Sequence, residues 1–404
     1  MTTMRMAWRN LWRNPRRSLA TLGAMTFALW VMVLYSGLVE GYMRGMERGI
    51  RELEVGDLQV FAPGYLDRPS LYTAIPEPGP ILQKLEAAGF AASPRLLAGG
   101  LAARGEESSG VSLRGLDLGR EGRVSALPTA VAAGAWLDSG DAKGVVIGSR
   151  LGRTLGAAPG AELVIVTQGA DGSLANDLFH VRGVLKSVSD ATDRSAVLMN
   201  EASFRDLLVM PQGVHQLIVR RPEHMALARA AESVHALVPN LDARTWRELM
   251  PTVATMLDSS RSLVMVVFGT VYLAVSILVL NGTLMIVFER VREFGVLKAL
   301  GVGPFGVLGL VLLENGLELA LALTVGLLLS WPGIHYLSEV GINVGKLGGL
   351  SVLGHAMPPI WYGVYTWRSL VGPVVVLIAM VLLGICYPAL KAARIRPVAA
   401  MRHL

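Results

Sequence analysis

Four stretches of the sequence are long and apolar enough to cross a membrane as helices. The hydrocarbon core of a bilayer requires about 20 consecutive, mostly apolar residues. The four predicted spans are Ser18–Val39, Ser262–Phe288, Val302–Gly333 and Ser369–Leu390. Three of them contain no charged residue, whereas Val302–Gly333 contains Glu314 and Glu318. One span therefore precedes residues 40–261, and three spans follow them.

Both ends of the region between the first two spans have helical periodicity. Residues 40–54 carry apolar side chains at spacings of three and four, which are Met43, Met46, Ile50 and Leu53. Thr245–Arg261 has the same pattern in Trp246, Leu249, Val253 and Leu257. This spacing puts the apolar residues on one side of a helix. We expect two stalk helices that join the domain to the first and second spans.

The rest of residues 40–261 alternates short β-branched runs with helical patterns, which predicts an α+β domain. The predicted strands are Asp57–Phe61, Val111–Leu116, Val145–Ile147, Glu162–Thr167, Leu178–Val184, Ala196–Met199 and Gln216–Val219. The predicted helices are Gly79–Ala88, Arg150–Leu155, Glu201–Leu208 and His224–Leu237. Pro63–Pro80 is expected to be an ordered but irregular connection, and Gly169–Asn176 is expected to be a flexible hairpin or loop. No internal repeat is evident.

Composition agrees with a membrane protein that has a large water-facing part. The 404 residues are 52% hydrophobic and 17% charged, and the mean hydropathy is +0.48. The single cysteine, Cys386, lies in the last predicted span, so no intrachain disulfide can form. The first apolar run is longer than a signal-peptide core and lacks a small-x-small cleavage site. We interpret it as a retained anchor.

The positive charge of the chain indicates topology. Its net charge is +6, and the basic clusters lie in residues 1–17, 289–301 and 391–404. Arginine and lysine mark the cytoplasmic side of membrane spans. The termini and the 289–301 segment are therefore predicted to be cytoplasmic, with the domain and the 334–368 loop on the other side of the membrane. The positive charge is thus a topology signal and does not indicate nucleic-acid binding.

Two aromatic segments allow two interpretations each. Residues 1–17 combine Trp8 and Trp12 with arginines, which fits an interfacial helix or simple topogenic charge. The 334–368 loop carries Trp361, Tyr362, Tyr365 and Trp367. Such residues form an aromatic belt at the membrane interface, and the alternative is contact with substrate.

The sequence offers no recognisable active site. Gly345-Lys346 is followed by Leu347 and lacks the first glycine of a phosphate-binding loop. The histidines are scattered, and no Cys/His cluster predicts a metal site. The Gly110–Gly115 stretch is one residue away from a nucleophile elbow, and we interpret it as chance. We expect no catalytic residue, no metal and no cofactor in this chain.

Glu314 and Glu318 lie four residues apart, on one side of a predicted span. A carboxylate at the bilayer centre costs about 2.5–3.5 kcal/mol on insertion scales. Both are therefore expected to face other helices, water or a partner. A proton relay is conceivable, but no His, Lys or Arg lies inside a predicted span to receive a proton or pair with them. Polar packing between helices is the simpler interpretation.

The 289–301 segment is the most patterned part of the chain outside the spans. It reads Glu-Arg-Val-Arg-Glu-Phe-Gly-Val-Leu-Lys-Ala-Leu-Gly. A helix there would have an apolar side formed by Val291, Phe294, Leu297 and Leu300. Such a helix suits a groove on another protein. A loop that only reversed the chain would need fewer residues.

Three motifs resemble the FtsX/MacB-type permeases of ABC transporters. The family's coupling segment is similar to Glu289–Gly301, its C-terminal signature to Pro388–Arg402, and its N-terminal signature to Ala7–Ser18. Glu314 matches a glutamate common early in the third span of these proteins. The resemblance implies that nine residues contact an ATPase, namely Glu289, Arg290, Arg292, Glu293, Gly295, Leu297, Lys298, Leu300 and Gly301.

Within that family, the domain resembles the lipoprotein-releasing LolC/LolE branch. The similarity rests on Gly56–Tyr65, on Gly144–Leu151 and on Gly160–Leu163, where Ala161 replaces the usual aspartate. The resemblance implies a second permease subunit and a cytoplasmic ATPase dimer that binds ATP and Mg²⁺. It implies that ATP-driven closure moves the spans and the stalks. This mechanism is mechanotransmission, and cargo need not cross the membrane. The resemblance also implies a multi-pass protein of the bacterial inner membrane, with the large domain in the periplasm.

Three functions follow as hypotheses. The first is extraction of lipoproteins or other lipid-linked cargo, with the lipoprotein or a periplasmic carrier as a further partner. The second is a MacB-like helper that exports peptides, drugs or toxins, and the third is an FtsX-like regulator of a cell-wall hydrolase. The expected cargo contacts are Leu34, Leu38, Met43 and Met46, for which core packing is the alternative.

Overall fold

The computed structural model describes residues 8–9, 13, 15–343, 351–352, 355–356 and 360–394. Most of the predicted interfacial helix over residues 1–17 lies outside the described residues, as does the end of the predicted tail over residues 391–404. The 334–368 loop is described only in part. Residues up to Arg44, residues 256–343 and residues 360–394 belong to a helical unit, and residues 45–255 belong to a separate domain.

The described helices and strands are named in chain order. The helices are α1 Pro15–Ile50, α2 Pro78–Ala87, α3 Leu118–Val124, α4 Ser149–Thr154, α5 Asp190–Ser195, α6 Glu201–Leu208, α7 Leu227–Leu237, α8 Trp246–Leu249, α9 Pro251–Glu289, α10 Val291–Ala299, α11 Pro304–Glu339 and α12 Trp367–Arg394. The strands of the domain are β1 Leu58–Phe61, β2 Ala91–Arg104, β3 Glu107–Leu116, β4 Val131–Gly134, β5 Gly144–Ile147, β6 Glu162–Gln168, β7 Leu174–Leu185, β8 Ala196–Asn200, β9 Gln216–Arg220 and β10 Asp242–Thr245.

Four of the described helices, α1, α9, α11 and α12, are long and apolar enough to span a membrane. The predicted fold class is therefore confirmed: four transmembrane helices, with an α+β domain inserted between the first and the second. Helix α1 runs without interruption from Pro15 to Ile50, and a π-helical turn over Arg51–Val55 follows it. The first predicted stalk is thus the outer part of α1. Helix α11 continues to Glu339, beyond the predicted end at Gly333.

The second predicted stalk is not one helix, and that expectation was wrong. Helix α8 ends at Leu249, and α9 begins at Pro251. Thr245 caps α8, since its Oγ1 accepts from the backbone N–H of Glu248 at 3.3 Å. Met250 between the two helices has φ −125° and ψ 62°. The residue before a proline is disfavoured in the helical region, which explains the break.

The helical unit contains close helix contacts made possible by small residues. Ser276 on α9 donates a hydrogen bond from its hydroxyl to the carbonyl of Met380 on α12, at 2.7 Å. A methyl group on Gly384 of α12 would lie only 2.7 Å from that Ser276 hydroxyl. A methyl group on Gly326 of α11 would lie 2.9 Å from Leu29 of α1. Small residues at such points let helix backbones approach in a membrane.

The ten described strands of the domain form one mixed sheet. Nine follow the order β10-β1-β9-β2-β3-β8-β5-β7-β4, and β6 pairs with β2 and β7. The pairs β3/β8 and β5/β7 are parallel, and the other pairs are antiparallel. A large apolar cluster that includes Leu58, Leu96, Leu113, Leu217 and Phe204 covers one face of the sheet. A smaller one that includes Leu116 and Leu198 covers part of the other.

The sequence did not predict β2, the longest strand. Ala91–Arg104 contains no β-branched residue and includes a proline and two glycines. Pairing with β3, β6 and β9 makes it a strand nevertheless. A methyl group on Gly100 would lie 3.0 Å from the carbonyl oxygen of Val166 on β6. Glycine at this position therefore lets β2 and β6 lie close together, which is one reason why glycine occurs inside a sheet.

A buried ion pair lies on the second face of the sheet, between β2 and α3. Arg95 is 2% exposed and Glu121 is 0% exposed. The Arg95 guanidinium donates to both Glu121 oxygens, and the Ser125 hydroxyl donates to Oε1 at 2.6 Å. Burial acts to raise the pKa of Glu121, but the charge of Arg95 and hydrogen bonds from Arg95, Ser125 and Ser93 outweigh it and lower the pKa below its ordinary value.

Replacing Glu121 by alanine should lower the melting temperature of the domain by about 10 °C. The change leaves the Arg95 guanidinium buried without its carboxylate, and breaking a buried pair costs about 3–5 kcal/mol. Thermal unfolding of the full-length protein measures the effect. Glu106→Ala, at an exposed turn position, is the matched control and should change the melting temperature by less than about 1 °C.

The same pair predicts a loss of stability in acid. A carboxyl group with a lowered pKa in the folded state stabilises fully above its unfolded pKa of about 4.3, and the stabilisation is lost as the pH falls through the folded pKa. The melting temperature of the native domain should therefore fall as the pH is lowered below about 5. The fall should be less steep in Glu121→Ala, which lacks this carboxylate. Equal acid dependence in the two proteins would contradict this assignment.

Candidate functional site: the segment between the second and third long helices

The segment from Glu289 to Gly301 forms a short helix with defined ends. Helix α9 ends at Glu289, and Arg290 leaves helical geometry with φ −105° and ψ 12° before α10 begins. At the other end, Gly301 has φ +94°. Its N–H donates to the Lys298 carbonyl at 3.1 Å, and the Val302 N–H donates to the Leu297 carbonyl at 3.0 Å. This is a Schellman motif, which requires the left-handed glycine.

A chain of ion pairs holds α10 in place. Arg290 Nη1 lies 3.1 and 3.0 Å from the two carboxylate oxygens of Glu314 on α11. Arg290 Nε lies 2.7 Å from Glu293 Oε2, and Arg13 Nη1 lies 2.5 Å from Glu293 Oε1. The order of charges is therefore Arg13, Glu293, Arg290 and Glu314, with alternating sign. It connects the N-terminal segment, α10 and α11.

The pKa of Glu293 is set by its ion pairs with Arg290 and Arg13. Partial burial acts to raise the pKa of Glu293, but hydrogen bonds and charge from Arg290 and Arg13 outweigh it. The pKa is therefore held below its ordinary value, and the carboxylate stays ionised at neutral pH. The Arg290 guanidinium also lies over the Phe294 ring, 5.2 Å from its centroid. Arg290 is thus fixed by two carboxylates and one aromatic face.

The pairing of Glu314 corrects one expectation. The sequence places no basic residue inside a predicted span, and the partner of Glu314 is instead Arg290, which lies just beyond the end of α9. Glu314 is 8% exposed and Glu318 is 9% exposed, so both lie inside the helical unit. Next to Glu314, Asn315 accepts a hydrogen bond from the Thr283 hydroxyl of α9 at 2.8 Å. Polar groups therefore join α9, α10 and α11 at this level.

The apolar side of α10 was expected to face a partner, and the structure divides that side between the inside and the outside of the helical unit. Phe294 is fully buried in the apolar cluster of the helical unit, and Val291 and Leu297 are half-buried. Leu300 is instead 78% exposed, because three-residue steps along a helix drift round its axis and α10 ends at Ala299. Val296, 45% exposed, and Arg292 also point outward. The outward face of α10 thus consists of Arg292, Val296 and Leu300.

Comparison with known families identifies the chain. The FtsX-like permease C-terminal family matches residues 265–397, which include α10 and its partners on α11. The MacB-like periplasmic core domain family matches residues 18–237, more than half of the chain. The chain belongs to the FtsX/MacB-type permeases. No curated protein matches it significantly in sequence. The large domain of this permease is accordingly of the periplasmic core type.

Two solved structures are similar to the domain. The periplasmic region of MacB from Actinobacillus actinomycetemcomitans is 14% identical, with a TM-score of 0.38, over 51% of this chain and 95% of that one. The extracellular domain of the noncanonic ABC-type transporter YknZ from Gram-positive bacteria is 14% identical, with a TM-score of 0.33, over 45% of this chain and 92% of that one.

The other predicted coupling residues of the permease differ in exposure. Glu289 and Gly301 are exposed, whereas Gly295 is buried. Lys298 is half-buried, and its ammonium group donates to the carbonyl of Ala393 on α12. Two residues that were not among the predicted coupling residues also lie at this site: one is exposed near α10, and the other pairs with a residue of α10. Phe305, in the first turn of α11, is 85% exposed, and Arg13 pairs with Glu293. From the sequence, Arg13 is interpreted only as part of an interfacial helix or as topogenic charge.

The predicted cargo contacts of the permease lie on α1. Leu34 and Leu38 are half-buried, and Met43 and Met46 are buried. A methyl group on Gly333 of α11 would lie 2.9 Å from the Leu34 side chain, so Leu34 packs against α11. Near the same end of the helical unit, the Tyr42 and Trp361 rings lie 4.6 Å apart. A cargo role for these four residues remains a prediction.

A charge-reversal cycle tests the anchoring of α10. Arg290→Glu and Glu314→Arg should each lower the melting temperature of the permease, because each change leaves the remaining, largely buried charge of the pair beside a like charge. Removal of one partner of such a pair costs about 3–5 kcal/mol. The double variant Arg290→Glu/Glu314→Arg should recover at least half of the loss, since it restores the attraction.

The matched control for this cycle is Arg292→Glu, which reverses a charge on the exposed side of the same helix and should leave the melting temperature unchanged. Strictly additive losses in the double variant would show that Arg290 and Glu314 do not interact, and would remove the proposed anchor of α10.

Proposed function

We propose that this permease couples ATP hydrolysis by a separate cytoplasmic ATPase dimer to extraction of lipoproteins or other lipid-linked cargo at the periplasmic face of the inner membrane. The observation that best supports the coupling role is that α10 has one anchored side and one exposed side. Its inner side is anchored by Phe294 and by the Arg290–Glu314 pair, while Val296 and Leu300 are left exposed. A short helix with a firm base and a free apolar face suits a groove on another protein.

The proposal orients the chain by its charges. Arginine and lysine residues lie before α1, in the Glu289–Gly301 segment and at the end of α12. The positive-inside rule assigns all three to the cytoplasm, where an ATPase can reach α10. The domain between α1 and α9 is then periplasmic. ATP and Mg²⁺ are bound by the ATPase, and a second permease subunit, identical or related, completes the complex.

Mechanotransmission requires contacts that differ between the nucleotide states. In the proposed cycle, closure of the ATPase dimer moves α10, and the Arg290–Glu314 pair passes the movement to α11. Helix α1 runs from the first predicted span to Ile50, and α9 begins at Pro251, before the second predicted span. Both helices therefore lead from the spans to the domain, so movement of the spans reaches it through continuous backbone.

A second candidate function is export of peptides, drugs or toxins by a MacB-like mechanism. The match of residues 18–237 to the MacB-like periplasmic core domain favours it. The two candidates share the coupling step and differ in the periplasmic partner. The lipoprotein hypothesis rests on the resemblance of Gly56–Tyr65 and Gly144–Leu151 to the lipoprotein-releasing branch.

Charge on the outward face of α10 should uncouple the complex. Leu300→Asp and Val296→Asp should abolish the stimulation of ATP hydrolysis by the permease, because a carboxylate would be buried in an apolar groove of the ATPase. Glu293→Arg should do the same, because it repels Arg290 and Arg13. The measurement is ATPase activity of the reconstituted complex, with membrane insertion checked by fractionation. Leu174→Asp, an equally exposed leucine of the domain, is the control.

Normal stimulated ATPase activity in the Leu300→Asp and Glu293→Arg variants would rule out a coupling role for α10. Loss of stimulation in Leu174→Asp as well would show a general defect rather than uncoupling.

Photocrosslinking from α1 should separate the candidate functions. A photoreactive residue at Leu34, Leu38, Met43 or Met46 should capture a lipoprotein in intact cells if the first proposal holds. Capture should be lost when the acyl chains of that lipoprotein are removed, because burial of each CH₂ contributes about 0.8 kcal/mol. A crosslink to an outer-membrane duct would favour the MacB-like function, and one to a cell-wall hydrolase would favour an FtsX-like regulator. Position Leu174 provides the control for random capture.

A further inference from the structure

A buried histidine joins two parts of the domain that are not neighbours in the chain. His215 is fully buried and lies directly before strand β9. Its Nδ1 accepts a hydrogen bond from the backbone N–H of Leu97 on β2 at 3.0 Å. Its Nε2 lies 3.2 Å from the backbone oxygen of Leu71. Because Nδ1 is an acceptor, the proton of the neutral ring is on Nε2, which donates to Leu71.

Leu71 belongs to an irregular segment, residues 66–74, which we call the strap. Both of its ends are fixed. At one end, the Tyr65 ring stacks on Phe61 of β1, with 5.5 Å between the ring centroids. At the other end, Ile75 and Val214 exchange backbone hydrogen bonds of 2.7 and 3.0 Å. The hydrogen bond from His215 adds a point of attachment between these two ends.

The contact of His215 with β2 depends on the neutral form of the ring. Strand β2 pairs with β9 only as far as Arg95, which is opposite Gln216. The N–H of Leu97 lies beyond that last pair, and the imidazole takes the place of a strand carbonyl. Protonation of Nδ1 would set two donors, the ring N–H and the Leu97 N–H, against each other. The contact is therefore incompatible with a charged ring.

The surroundings of the imidazole also disfavour its charged form. Burial is the main cause, and the positive charge of Arg205 on α6 adds to it, so that the pKa of His215 lies below its ordinary value. The hydrogen bond to the Leu71 backbone acts in the opposite direction and does not outweigh them. Arg205 is itself paired with Glu201 at 2.7 Å. The positive charge near the ring is thus fixed in place.

Two further titratable groups near the ring are accounted for. The Tyr65 ring lies 5.8 Å from the imidazole, and burial raises the pKa of Tyr65 to about 12, so the phenol is neutral. Arg95, whose carbonyl accepts from the backbone N–H of His215 at 3.2 Å, is paired with Glu121. Among the described residues, no carboxylate pairs with the imidazole to favour its charged form.

We infer that His215 is an acid-sensitive clasp, and that protonation of its imidazole releases the strap from β2. Pro69, Ser70 and Leu71 of the strap line one side of a cavity of about 620 Å³ in the domain, so release opens that side. The closed form binds fewer protons at His215 than the released form, and falling pH therefore favours release. The effect begins below the ordinary histidine pKa of about 6.5 and reaches at most about ten-fold per pH unit. It involves only residues of the domain and does not depend on coupling to an ATPase.

Amide hydrogen exchange of the full-length protein in phosphatidylcholine nanodiscs tests the contact with β2. The exchange rate of the Leu97 amide is compared between the native protein and His215→Gln, at about pH 7.5 and about pH 5.0. Glutamine is neutral and has one acceptor and one donor group, so it is expected to keep both hydrogen bonds at either pH. The native-to-variant ratio should rise about five- to thirty-fold on acidification, the upper limit being set by about 1.5 pH units below 6.5.

A fluorine label next to Leu71 tests release of the strap. Tyr72 is 73% exposed, so a label at this position does not disturb packing. In Tyr72→Cys/Cys386→Ser, which has one cysteine to label, a second ¹⁹F signal should grow as the pH falls below about 6.5. The signal should be absent when His215→Gln is added. His224→Gln, which changes an exposed histidine of the same domain, is the matched control and should leave both pH effects unchanged.

A change of less than about two-fold in the native-to-variant ratio at Leu97 would overturn the inference. A rise at Leu97 with an unchanged ¹⁹F spectrum would also overturn it, because the ring would then titrate without releasing the strap. If His215→Gln does not fold, the Val181 amide of the native protein replaces it as the reference, since its acceptor is the Ala161 carbonyl at 2.8 Å. Both measurements remain valid if the permease does not stimulate an ATPase.

Discussion

The contact of Arg290 Nη1 with both carboxylate oxygens of Glu314 is the interaction on which the position of α10 depends. A carboxylate within a membrane-spanning helix is costly unless it has a partner of opposite charge. Arg290 provides that charge, and it can do so only because α9 stops at Glu289 and the chain turns before α10. The need to neutralise Glu314 thus fixes where α9 ends and how α10 is oriented. The same guanidinium also binds Glu293, so the short helix is held at its first turn.

This anchor divides α10 into two sides with different physical roles. Phe294 fills a position in the apolar cluster, and its burial keeps the helix against α11 and α12. Val296 and Leu300 have no such role within the described residues and remain exposed. A force applied to the exposed side is therefore transmitted through the ion pair and Phe294. Because removal of one partner of a buried pair is expensive, α10 and α11 are expected to move together.

The long helices and several strands of the domain are predictable from the sequence because their signals are local. Long apolar runs, three of them uncharged, predict the spans, and short β-branched and apolar runs predict β5, β8 and β9. Strand β2 is not predictable, because Ala91–Arg104 becomes a strand only through its three neighbours. The orientation of α10 is also non-local: its periodicity gives an apolar side, but Arg290 and Glu314 decide which way that side faces. Arg13 lies 280 residues from Glu293, and no spacing rule connects them.

The polar face of the domain is a further case in which burial alone explains little. A sheet covered on both faces is normally apolar on both. Here one face is apolar, while the other buries Arg95 and Glu121 as a pair. Replacing such a pair by apolar residues of similar volume is often neutral or stabilising, so stability is a weak reason for its presence. The pair instead fixes the position of α3 on the sheet, because Arg95 and Ser93 of β2 both donate to the Glu121 carboxylate. Its contribution is then to where α3 lies against β2, which apolar side chains would define less well because their contacts have no direction.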